Sequence, residues 1–206
     1  MFYSSVRALR GRGLHSLQLR LEGRTVISAT SFVVRTQEGV VSLARWPKGE
    51  QTVQFLVDRG RLETFQSSDL TALATAQVHR ATLRLNATAI AALKNGDVDG
   101  AYAAAYDAYR MAAEALLARQ GLRATGGDGS HMSVEDAVSA QFAAAIEAFA
   151  KPTFERFRRT RHTAQYFDPS AAPITTPDAE WAIDKATAAL AGTQALLSAT
   201  PPERFS

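Results

Sequence analysis

The stretch "GAYAAAYDAYRMAAEALLARQG", residues 100–121, constrains this chain most. Tyr102, Tyr106 and Tyr109 fall at i, i+4 and i+7, which is one face of an α-helix. Alanine is the best helix former, and its small side chain lets neighbouring helices approach closely. Asp97 or Asp99 starts the helix and Gly121 ends it. This helix, with the one over residues 153–167, is a candidate surface for dimerisation.

The flanking patterns agree. Leu70, Leu73, Ala74, Val78, Ala81, Leu85, Ala89 and Leu93 recur at three- and four-residue steps, with Ser67, Ser68 or Asp69 as the cap and "NGD" at 95–97 as the stop. "ATGGDGSHM" reads as a loop, and Ser133 opens a further helix with a capping box, Ser133–x–x–Asp136. Its apolar stripe is Val134, Ala137, Val138, Phe142 and Ile146. Pro152 separates it from a helix carrying "TFERFRRTRHTAQYF", whose Phe154, Phe157, Ala164 and Phe167 can face a core. After the loop "DPSAAPITTP", Thr176 caps a last helix with Pro177 at its first position. Trp181, Ile183, Ala186, Leu190, Ala191 and Leu197 form its buried side, and "PPERFS" closes the chain as a frayed tail.

The expected fold class is therefore mainly α: an up-and-down bundle of about five helices. Ahead of it lie residues 1–52, a basic N-terminal extension that either holds β-strands or is poorly ordered. Leu17, Leu19 and Leu21 alternate with Gln18, Arg20 and Glu22 as in a strand, and a hairpin fits around Glu38–Gly39. Val53, Phe55, Leu56 and Val57 form a short apolar segment that Gly60 stops. The helical domain spans 53–198 and the tail 199–206.

Charge is uneven. Residues 1–62 carry ten Lys/Arg against four Asp/Glu, while residues 63–206 carry thirteen against sixteen. The main domain is mildly acidic and so is not a general nucleic-acid binder; any basic site in it is local. With no cysteine there is no disulfide framework, thiolate metal site or cysteine nucleophile, which suits a reducing cytosol. No apolar run approaches the roughly 18–20 residues that span a bilayer. The N-terminal "MFYSSVRALRGRG" lacks the apolar core of a signal peptide. The expected location is the cytoplasm, with no membrane partner.

Chemistry concentrates in "RFRRTRHTAQYFDP", residues 156–169. On a helix, Arg158, Arg161 and Gln165 share a face, and His162 and Tyr166 are four apart. Arginine gives a phosphodiester bidentate donors, and histidine can move a proton during attack by a ribose 2′-hydroxyl. The same pattern also fits a solvated basic face. Asp107 and Arg110, three apart, suit a helix-face ion pair, and His131 after the glycine loop suits a cap or loop contact. Asp107, Arg110, His131, Arg158 and Arg161 are the candidate RNA- or ligand-contacting residues. Four histidines with no H-x-x-x-H or H-E-x-x-H spacing give no metal site, and no cofactor is expected.

The segments "GAYAAAYDAYRMAAEALLARQGLRATGGDGSH", "VEDAVSAQF" and "FERFRRTRHTAQYFDP", followed by an alanine-rich helix, resemble the HEPN domain in this order. Within that family the chain looks like the actinobacterial HEPN proteins of unassigned function, and the resemblance covers about residues 53–198. It implies a helical bundle that dimerises. Many HEPN proteins are metal-independent endoribonucleases acting as toxins or defence effectors, with an arginine, a polar residue and a histidine at the dimer cleft. By this resemblance Arg161 matches the arginine and His162 the polar residue, while Tyr166 stands where the histidine is expected. Arg156 with His162 is a second way to lay the motif on the chain. Tyrosine, with an unperturbed pKa near 10, is a poor general base at neutral pH.

Two functions follow as expectations. One is a HEPN dimer with a degenerate motif, binding RNA, a nucleotide or a partner protein in a cleft lined by Arg158, Arg161, His162 and Tyr166. The other is an endoribonuclease toxin in which Arg161, His162 and Tyr166 are catalytic, paired with a cognate antitoxin protein.

Overall fold

A computed structural model describes residues 20–21, 24–25, 47–127, 129–165 and 172–205, with side chains described over 49–127, 129–160 and 172–205. Two compact units are present, Met1–Arg45 and Trp46–Ser206. In the first, β1 (Arg20–Leu21) pairs antiparallel with β2 (Arg24–Thr25), Arg20 opposite Thr25. Leu17, Leu19 and the hairpin expected at Glu38–Gly39 lie outside the described residues.

The second unit is a helical bundle. Its order is α1 (Pro47–Asp58), β3 (Leu62–Thr64), α2 (Leu70–Leu83), a π-helical turn (Arg84–Ala89), α3 (Ile90–Lys94), α4 (Val98–Arg119), β4 (Leu122–Ala124), α5 (Ser130–Phe142), a 3₁₀ turn (Glu147–Phe149), α6 (Lys151–Gln165) and α7 (Thr176–Ala199). Because α2, the π turn and α3 run on without a break, the described residues of this unit form six helices, one more than the periodicity implies. The extra one is α1. It absorbs the apolar segment at Val53–Val57 and starts at Pro47, so the expected boundary at residue 52 falls inside it. No helix among the described residues is long and apolar enough to cross a membrane.

The bundle is built around α4, twelve of whose 22 residues are buried. Its alanines let α2 and α7 pack along it from two sides, and α6 covers the tyrosine face. Asp97 caps α4 by accepting the Gly100 amide at 2.8 Å, and Asp69 caps α2 by accepting the Ala72 amide at 2.7 Å. Each aspartate satisfies one of the orphan N–H groups of a helix start. Gly121 ends α4 at φ 74°, the left-handed conformation that favours glycine.

Three local expectations change. Ser133 does not open α5: the helix begins three residues earlier, after Gly129 at φ 84°, and the Ser133 hydroxyl donates back to the Gly129 carbonyl at 3.2 Å. The last helix has its cap one residue earlier than expected. Thr175, not Thr176, forms a capping box with Asp178, whose carboxylate accepts the Thr175 amide at 3.1 Å. Leu73 and Ala191, placed on buried stripes, are exposed, while Ala182, Ala189 and Thr193 are buried on α7.

Two further features hold the ends. β3 and β4 form an antiparallel ribbon with Leu62 opposite Ala124, unsignalled in the sequence because each strand has three residues. The tail is docked rather than frayed: the Phe205 amide donates to the Gln120 carbonyl at 2.9 Å, and Arg204 donates to the Phe65 carbonyl at 3.0 Å.

Candidate functional site

α6 is fixed in rotation by two phenylalanines. Phe154 and Phe157 are buried, and Phe157 is the hub of an aromatic cluster. Its ring centroid lies 4.5 Å from that of Tyr109, 5.7 Å from Tyr106, 5.8 Å from Tyr102 and 4.9 Å from Trp181. Rings at these separations and tilts attract beyond their buried area. The i, i+4, i+7 tyrosines of α4 therefore form the socket of α6.

With the phenylalanines inward, the arginines of α6 divide by task. Arg156 turns to α7: its guanidinium stacks 3.9 Å from the Trp181 ring centroid and donates to Asp178 at 3.1 Å. That commits Arg156 to the helix interface, which bears on the alternative Arg156–His162 alignment. Arg158 reaches α5, where its Nη1 lies 3.5 Å from Glu135 Oε2. Arg159 is exposed. The backbone of α6 continues through Gln165, so Arg161 and His162 stand three and four residues after Arg158 in helical register. Their side chains, and all of Tyr166, lie outside the described residues, so the catalytic set is neither brought together nor separated.

Glu135 is the unexpected member. It lies on α5 in the buried stripe between Val134 and Ala137, with its side chain only 5% exposed. Burial pushes its carboxyl above the usual range, an effect that Arg158 only partly offsets. One turn earlier on α5, His131 Nδ1 lies 3.2 Å from the Tyr106 hydroxyl. His131 is thus neither a bare cap nor a loop contact: it lies in the first turn of α5 with its ring against a phenol of α4. His131 and Glu135, at i and i+4, share one face of α5 with Arg158 against it. The spacing His131–x3–Glu135 was the available signal, but an acid inside an apolar stripe reads as solvent-facing until α6 is placed.

Asp107 and Arg110 do not pair. Asp107 takes Arg84 from the neighbouring helix at 2.7 Å, and Arg110 takes Glu114 one turn on at 3.2 Å. At i and i+3 on α4 the two side chains find better-placed partners on either side. Neither contacts the Arg158–Glu135 pair by any described interaction. The candidates therefore fall into two groups: Arg158 reaches Glu135 on the helix that carries His131, while Asp107 and Arg110 have partners of their own elsewhere. Among the described residues no three His, Asp or Glu side chains are grouped so as to hold a metal ion.

No family model matches this chain, and no curated protein or solved structure matches it.

Proposed function

We propose that this chain is a HEPN-type protein that works as a homodimer in the cytoplasm and binds RNA through the outward face of α6. The observation that carries the reading is the rotational lock on α6. Phe154 and Phe157 point into the aromatic cluster, Arg158 and Arg159 stand exposed, and Arg161 and His162 follow in the next turn. Such a cluster on an otherwise mildly acidic unit suits local contact with a phosphodiester backbone. Arg158 supplies a cation that Glu135 holds from behind, a pre-set donor rather than a freely rotating one. Tyr166, in the place of the expected histidine, favours binding over cleavage.

The test is fluorescence anisotropy with a labelled single-stranded RNA, run alongside gel analysis of the RNA. Binding that weakens as salt rises, and that Arg161→Ala and Arg158→Ala each reduce, supports the reading. RNA cleaved by pure protein, with cleavage lost in His162→Ala, replaces it with the endoribonuclease. Unchanged anisotropy in both arginine variants removes the α6 face from RNA binding and leaves a nucleotide or protein partner to be sought. Light scattering at micromolar concentration reports the dimer; a monomer would sink the inter-protomer cleft.

A further inference from the structure

A groove of about 650 Å³ opens between α2, α4, β4 and the start of α5. It shares no lining residue with α6, so nothing proposed for RNA uses it. Its volume is in the range that holds a small molecule, roughly 300–1,000 Å³. Part of the lining is apolar: Phe65, Leu73, Leu117 and Leu122. Leu73, on this lining, is 43% exposed.

Among these apolar side chains the lining also carries polar groups. Glu114 uses both carboxylate oxygens, one 3.2 Å from Arg110 Nη1 and the other accepting Gln77 Nε2 at 2.8 Å. Arg123, also in the lining, is matched by Glu63 at 2.6 Å. Arg110 is left with N–H groups to spare. Its Nε is enclosed and has no acceptor. Closed off from the groove, that Nε leaves the terminal Nη groups of the guanidinium as the donors a ligand there would use. An ion pair between i and i+4 on a helix surface would explain the Glu114 contact alone. It does not explain why a guanidinium with unspent terminal donors borders an open cavity that Phe65, Leu73 and Leu117 also line.

We propose that this groove binds a small amphipathic anion, its oxyanion head on the Arg110 guanidinium and its apolar body against Phe65, Leu73 and Leu117. The head takes up donor capacity that Glu114 leaves unused, and the body covers the exposed leucine. Arg123 lies 5.8 Å over the Phe65 ring and sets the rim. Arg204 of the docked tail holds the Phe65 carbonyl and the Gln66 side chain from outside. The site is thus framed by fixed elements.

The experiment is a titration of the full chain with 8-anilinonaphthalene-1-sulfonate, an aromatic monoanion that fluoresces when bound. A single saturable site is expected, emptied by octanoate or octyl phosphate but not by octanol. Whichever of the two anions displaces at lower concentration tells carboxylate from phosphate heads. Arg110→Gln should weaken the dye about tenfold, the loss of a charge-assisted hydrogen bond. Leu73→Glu, at an exposed position that tolerates the change, should abolish binding and decides the matter if Arg110→Gln does not fold. Arg158→Ala should leave the titration unchanged, so this site and the RNA face stand or fall separately. Absence of saturable binding, octanol displacing as well as octanoate, or dye binding unaltered by Leu73→Glu would overturn the proposal.

Discussion

The phenol of Tyr109 donates a 2.7 Å hydrogen bond to the carbonyl of Ala148. The bond joins the middle of α4 to the 3₁₀ turn ahead of α6, and both ends are buried. Burial, and to a lesser extent Glu135, pushes this phenol well above its ordinary range, so it stays a donor wherever the protein is folded. Tyr109→Phe keeps the ring contacts with Phe154 and Phe157 and removes only the donor. The bare Ala148 carbonyl should cost about 1.5 kcal/mol. Urea unfolding would show it as a lower midpoint at unchanged slope; an unchanged midpoint would mean that water replaces the phenol.

Glu135 ionises at a cost. Its folded pKa lies above the unfolded value of 4.5, so the unfolded chain releases that proton first. The associated stability is fully present below pH 4.5 and is lost as pH rises through the folded value. Glu135→Gln removes this slope. Because Arg158 is 44% exposed and can rehydrate when its partner is neutral, the variant should be more stable at pH 7, by about 1 kcal/mol. Equal or lower stability at pH 7 would mean that the ion pair outweighs the burial.

At α1 and α5 the contact depends on a missing side chain. A Cβ on Gly49 would meet Gln141 Cγ and would stand 2.7 Å from Gln141 Cα, which is backbone and cannot swing away. Gly49→Ala should therefore cost about 2 kcal/mol despite the better helix propensity of alanine. Hydrogen exchange should quicken along α1 and not in α4, as α1 lifts locally. Uniform protection in both helices would contradict the crossing.

The capping box of α7 is testable by acid. Hydrogen bonds from the Thr175 side chain and amide, with the Arg156 contact behind them, hold the Asp178 carboxyl below 3.8. Its contribution is present above pH 3.8 and is lost as pH falls through the lower folded value. Thr175→Ala should cost about 1 kcal/mol at pH 7. The gap to the parent protein should narrow below pH 3.8. A gap constant down to pH 2 would show that Asp178 is not tied to Thr175.

What the sequence carries is short-range physics. Asp69, Asp97 and Gly121 act on amides or carbonyls within a turn of themselves, and Tyr102, Tyr106 and Tyr109 declare their face by spacing alone. The cap of α7 was displaced by one residue because both threonines can cap; Asp178 three residues on selects Thr175. Ser133 meets the capping pattern, but Gly129 has already turned the chain. α1 shows in the sequence only as the short apolar segment Val53–Val57, and its Gly49 becomes a contact point only once α5 is placed against it. The site divides the same way. Arg158 and His131 could be named as chemistry, but Glu135 behind one and Tyr106 beside the other belong to different helices, which no local pattern joins.

The π turn at Arg84–Ala89 acts as a phase shifter. Ala81, Leu85 and Ala89 are all buried at strides of four residues, and the Ile90 amide reaches back five residues to the Leu85 carbonyl. In an uninterrupted α-helix each such stride turns the face by about 40°, so the third residue would leave the core. The widened turn cancels that drift. With every residue kept, a regular ladder through Arg84–Ala89 would rotate everything from Ile90 to Lys94 by about 100°, whereas one residue fewer would restore that ladder and leave the downstream face where it is. The widened turn thus lets the helix carry one residue more than a regular ladder would hold without turning its downstream face: a single-residue deletion here would be absorbed, while an insertion would have no such slack.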